Sequence, residues 1–176
     1  MSSRENKVRI AEVALRGVVF GFGLVSALLI ATDSQVRTIF SVEKKARFTD
    51  MKALMFLVVA NGLAVAYSLI QGFRCIINMV KGGLLLSKPL AWAIFSCDQI
   101  MAYVTVAAVA AAAQTAVLGD LGQRQLQWMK ICNLYGKFCN KVGEGIVLAF
   151  LVSLSMQCLS CISAFKLFRL YTNINK

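Results

Sequence analysis

Arg16 and Asp98 are ionisable side chains that interrupt otherwise apolar stretches of this 176-residue chain. A charge inside a bilayer costs at least about 2.5 kcal/mol on insertion scales, so a lone one persists when it has a partner or a task. Their opposite signs make each the natural partner of the other, joined by a bidentate guanidinium–carboxylate contact. Other outcomes stay open at this point: Arg16 snorkels to the headgroups along its stem, or Asp98 is a protonated or water-facing carboxyl. In that second case Asp98 would serve as a cation or proton site in a small transporter or channel, with Gln99, Tyr103 and Asn61 lining a polar path.

Thiols are the second source of chemistry, six in all. Cys132 and Cys139 share one loop and are expected to pair as a disulfide if that loop faces outward. Cys75 and Cys97 lie toward the other face and read as thiols, lipid acceptors or small buried residues. Cys158 and Cys161 form a C-x-x-C in the last apolar stretch. Together with the loop pair it resembles the quinone-coupled disulfide-forming enzymes, such as vitamin K epoxide reductase, and so implies a thiol oxidoreductase. Distance opposes that relay: about 19 residues, roughly 28 Å as helix, separate Cys139 from Cys158.

Beyond these groups the sequence offers no enzyme signature. It has no histidine, the commonest general base and metal ligand, and no Gly-rich phosphate loop, nucleophile elbow or carboxylate pair. No metal or cofactor is expected. A net charge of +11 is spread over the membrane-flanking segments without an aromatic-studded basic domain. Anionic lipid headgroups are therefore the expected partner, and nucleic acid is not.

The elements that must hold these residues follow from composition. With 59% hydrophobic and 15% charged residues and a mean hydropathy of +0.70, the chain has too little polar material to cover a soluble globule. Spanning roughly 30 Å of hydrocarbon takes about 20 apolar residues as helix, and the windows 13–31, 53–73, 90–118 and 145–165 meet that need. They are too long for tilted barrel strands and lack the alternation of one. The expected architecture is an all-α, integral-membrane four-helix bundle occupying 1–176 as one domain. Pro89 sits where a third helix begins, its tolerated place, and the basic N-terminus leads into a retained signal-anchor helix. Apart from Arg16, Lys and Arg divide evenly between the two faces, so the positive-inside rule gives a tie. The acids weakly favour both termini inside.

In such a bundle helices one and three run the same way. Arg16 and Asp98 then fall at similar depth below one membrane face, whichever way the chain inserts. Small residues in the same helices permit close packing: Gly17 and Gly21 form a G-x-x-x-G beside Arg16, with Gly23 beyond, and Ala107, Ala108 and Ala111 belong to an alanine-rich face of helix three. Those faces could pack within the bundle or between copies. Trp92 and Trp128 read as aromatic-belt anchors.

Particular runs carry a family likeness. Ala14-Leu15-Arg16-Gly17, Ala31-Thr32-Asp33, and Phe95-Ser96-Cys97-Asp98-Gln99-Ile100-Met101-Ala102-Tyr103 followed by alanines, with Cys132, Phe138 and Cys139 in the third loop, resemble the Casparian strip membrane domain protein family of land plants. The resemblance covers nearly the whole chain. It implies a four-helix plasma-membrane protein with cytosolic termini, distantly related to the MARVEL group, whose Arg and Asp match Arg16 and Asp98. It further implies homo- and hetero-oligomeric scaffolds that define a membrane domain and recruit cell-wall-modifying proteins. Strip-building members carry a Phe-rich, proline-containing signature in the first outer loop. Here that loop reads Thr38-Ile39-Phe40-Ser41-Val42-Glu43-Lys44-Lys45-Ala46-Arg47-Phe48-Thr49, without proline, which implies a Casparian-strip-like paralogue serving another membrane domain.

Overall fold

The computed structural model describes residues 3–39, 42–80, 88–122, 130, 132, 133 and 135–172. Trp128 lies outside them. Four long helices make the body: α1 (Ser3–Thr32), α2 (Lys52–Val80), α3 (Lys88–Leu121) and α4 (Gly136–Thr172). Each is long and apolar enough, by length and composition, to cross a bilayer, over Lys7–Thr32, Lys52–Ile77, Pro89–Leu121 and Gly136–Thr172. Every apolar window of the sequence falls inside one of these helices. The helices run on past the windows because their polar flanks are still helix-forming residues, most of all at both ends of α4.

Local signals set the boundaries. Pro89 is the second residue of α3, where its missing N–H leaves no bond unmade. Gly122 ends that helix with φ 66°, and its N–H donates to the Leu118 carbonyl at 3.0 Å, a left-handed closure that glycine adopts without a Cβ clash. A 3-10 turn at Phe48–Asp50 leads into α2, whose first bonds run from the Leu54 and Met55 N–H groups to the Met51 carbonyl.

The first loop differs from the plain loop expected of it. Ser34–Ile39 (β1) and Val42–Arg47 (β2) form an antiparallel hairpin in which Ser34 pairs with Arg47 and Ile39 with Val42. A two-stranded hairpin is marginal alone; here the ends of α1 and α2 bring its strands together. The all-α class holds for the body, with this hairpin outside the membrane-spanning helices.

The helices pack as a ring: α1 lies against α2 and α4, and α3 against the same two. Helices α1 and α3 are thus diagonal across the bundle. Toward the hairpin end the core is Ile30, Leu54, Leu57, Val109, Phe138 and Val142. In the middle it is Val19, Ala64, Ala102, Val152, Met156 and Leu159. Large apolar side chains such as Ile70, Phe73 and Phe168 stay exposed on the outer faces, as lipid rather than water is the surrounding solvent.

Candidate functional site

The buried charged residues gather at the end of the bundle where the termini lie. One turn of α1 places Glu12 below Arg16, an i,i+4 pair, and both are 2% exposed. Across the diagonal Asp98 of α3 is fully buried. Arg16 Nη2 donates to Glu12 Oε1 at 3.3 Å and lies 3.4 Å from each Asp98 oxygen. The Tyr67 hydroxyl of α2 donates to Asp98 Oδ1 at 2.7 Å, and the Ser163 hydroxyl of α4 donates to Asp98 Oδ2. Lys166, also on α4, donates to Glu12 Oε2. The guanidinium further stands 5.6 Å from the centroid of the Tyr67 ring, within cation–π range.

All four helices therefore end on one centre of two acids and two bases, whose charges cancel. Pairing of that kind is what makes buried charge tolerable: each ion loses hydration worth several kcal/mol, recovered only through close opposite charges and hydrogen bonds. Lys166 is the member with access to the surroundings, its side chain 32% exposed, so its ammonium sits at the rim while the other three are enclosed.

One expectation for this pair needs correction. The contact is not a bidentate fork: Nη2 alone meets both carboxylate oxygens, and Arg16 Nε and Nη1 are buried without a partner among the described residues. Tyr67 and Ser163 already occupy a lone pair on each Asp98 oxygen, and Glu12 draws the same nitrogen back toward α1. The pair reaches from α1 to α3 diagonally through the bundle centre, since each of these helices packs against α2 and α4. Sequence reading missed Glu12, Tyr67, Ser163 and Lys166. The i,i+4 spacing could have revealed Glu12; the others require the packing register.

The remaining residues singled out from the sequence scatter. Gly17 and Gly21 face open space, with nothing within 4 Å of where a Cβ would stand. Close approach within the bundle occurs instead at Gly23, where a Cβ would lie 2.8 Å from Val65 Cγ2, and at Gly145, where it would lie 2.6 Å from Ile30 Cγ1. Ala108 is fully buried, Ala111 is half-buried and Ala107 is exposed. Asn61 belongs to a separate closed chain: its Nδ2 donates to Ser26 Oγ at 3.0 Å, and Ser26 donates to the Gly145 carbonyl at 2.7 Å. Gln99 accepts from Ser160, and Tyr103 is 67% exposed on the outer surface. The fold does not assemble Asn61, Gln99 and Tyr103 into one path with Asp98. Trp92 Nε1 donates to the Tyr171 hydroxyl at 3.0 Å, tying the ends of α3 and α4.

At the opposite end Cys132 and Cys139 are joined as a disulfide, with Cα atoms 5.7 Å apart. Nearby, Lys141 Nζ pairs with Asp33 Oδ1 at 3.1 Å, linking α4 to the end of α1. Cys158 and Cys161 are free and exposed on α4, Cys97 is free and exposed on α3, and Cys75 is free and buried.

Comparison with known proteins agrees with the four-helix body. The Casparian strip membrane protein domain matches residues 5–155, a stretch that holds Glu12, Arg16, Tyr67 and Asp98 but stops short of Ser163 and Lys166. The CASP-like protein 2B1 of Ricinus communis is 68% identical over 167 residues, 95% of this chain and 83% of that protein. The CASP-like proteins 2B2 of Populus trichocarpa and Arabidopsis thaliana are 66% and 60% identical over the same shares. No solved structure matches. A domain match over most of the length, relatives at this identity and four membrane-spanning helices place this multi-pass membrane protein in the Casparian strip membrane protein domain family.

Proposed function

We propose that the chain is a non-enzymatic plasma-membrane scaffold, in which copies of it and of its paralogues associate side by side into a membrane domain. The observation that supports this reading best is the enclosed ionic centre. The buried charged side chains of the helices are paired with each other, and Asp98 takes hydrogen bonds from three different helices. Such a centre fixes the mutual positions of four helices, which a lattice of identical units requires. Anionic headgroups at the basic rim and cell-wall-modifying proteins are the partners that fit this role.

Orientation belongs to the same proposal. The Cys132–Cys139 bond fits an oxidising compartment, which supports an orientation with the hairpin end of the bundle outside the cell and both termini in the cytosol. The test is fluorescence recovery of a tagged copy in its native cell. A patch that exchanges slowly supports the scaffold; free diffusion over the whole membrane overturns it.

A further inference from the structure

On the outer surface, near the middle of the membrane-spanning helices, two large hydrogen-bonding side chains make no side-chain hydrogen bond among the described residues: Tyr103 and Gln157. Between Glu144 and Lys166 the body of α4 carries no charge, and Gln157 lies half a turn from Ser155 at the middle of that stretch. Tyr103 lies half a turn from Thr105 at the middle of the Pro89–Leu121 span. Both are exposed on the outside of the bundle. In water that would need no comment, but hydrocarbon offers an amide or a phenol no partner, and the unmet bonds cost free energy.

The register of α3 on α4 puts the two at one depth. Gln99 meets Ser160 and, one residue back, Asp98 meets Ser163, so α3 and α4 run antiparallel past each other in a register these two contacts bracket. Tyr103, four residues beyond Gln99, is then level with Gln157. They also extend the same seam: Gln99 and Tyr103 are one turn apart on α3, and Ser160 and Gln157 nearly one turn apart on α4. The seam thus carries two satisfied polar contacts toward the termini and two unsatisfied groups at the membrane centre.

We infer that this α3/α4 seam is where a second copy of the chain docks, with Gln157 and Tyr103 as its hydrogen-bonding centre. The inference rests on the scaffold reading and names its contact surface. Two copies inserted the same way and related by a two-fold axis along the membrane normal hold every residue at the same depth as its counterpart. An amide carries both donors and an acceptor, so Gln157 is complementary to the partner's Gln157 and equally to the partner's Tyr103. A lipid tail is complementary to neither. Leu154 and Cys161, exposed on α4 within one turn of Gln157, would flank the contact.

Full-length protein in phosphatidylcholine vesicles, with Cys97→Ser and Cys158→Ser so that Cys161 is the exposed thiol, tests this with a short bismaleimide and, in parallel, energy transfer between labelled copies. The expected results are a cross-linked dimer through Cys161 and an association weakened roughly three- to tenfold by Gln157→Leu with Tyr103→Phe, with Gln157→Asn retaining much of it. Leucine suits a lipid-facing position, so the variant keeps its fold. Energy transfer that persists undiminished in Gln157→Leu/Tyr103→Phe, without Cys161 cross-links, overturns the inference and leaves the scaffold intact. No energy transfer even in the parent overturns both.

Discussion

The two ends of the bundle are held by different physics. At the end bearing the termini, charges from α1, α3 and α4 converge with the Tyr67 hydroxyl of α2. At the hairpin end, apolar residues such as Ile30, Leu57 and Phe138 fill the core, and a disulfide ties the approach to α4. Within the hydrocarbon, apolar contact has no solvent-driven advantage over lipid. Specific pairing must therefore come from groups that lipid cannot replace, and charge serves that purpose at one end. At the other, the chain emerges from the membrane, where a covalent link and packing around Tyr135 and Phe138 can act. The difference teaches where each kind of substitution should be felt.

The strongest break in the comparison is Asp98→Asn. It leaves the buried Arg16 with Glu12 as its remaining acid partner, and removing one member of a buried pair costs on the order of 3–5 kcal/mol. Detergent-solubilised protein should show a sharply lowered melting temperature and a reduced folded yield; parental melting would contradict the pairing. Cys132→Ser with Cys139→Ser comes next. A loop this short contributes about 2.5 kcal/mol in the chain-entropy view, and hydrogen exchange should rise around 130–142 while the amides near Arg16 and Asp98 stay protected. Equal loss of protection at both ends would erase the distinction drawn here.

Smaller effects sharpen the same contrast. Gly145→Ala forces the Ile30 side chain to give way and should destabilise by about 1–3 kcal/mol, whereas Gly17→Ala, open on every side, should leave monomer melting unchanged. Tyr67→Phe removes one of the donors to Asp98 and should cost about 1–2 kcal/mol, read as a modest fall in melting temperature without loss of yield.

How much of this the sequence carried depends on whether the constraint was local. Bilayer thickness forces long apolar runs, so the four helices were legible at once. Lone charges in such runs are conspicuous, and Arg16 and Asp98 stood out for that reason. Their companions were hidden: Ser163 and Tyr67 are ordinary hydroxyl residues until four helices are set in register, and Lys166 follows directly on an apolar window as any flanking base would. The G-x-x-x-G at Gly17 and Gly21 was visible yet faces outward, because the motif gives a spacing on one helix and says nothing of which neighbour meets it. Gly23 and Gly145 are the close contacts, and only the packed bundle reveals them. The hairpin escaped notice because its strands are short and their alternation weak.

A double-mutant cycle on Arg16→Met and Asp98→Leu, followed by thermal unfolding in detergent, tests the central claim most directly. The ionic centre predicts two damaging single variants and a double variant that recovers at least about 1 kcal/mol relative to their sum. Strictly additive losses would mean that the guanidinium and the carboxylate do not stabilise each other across the bundle.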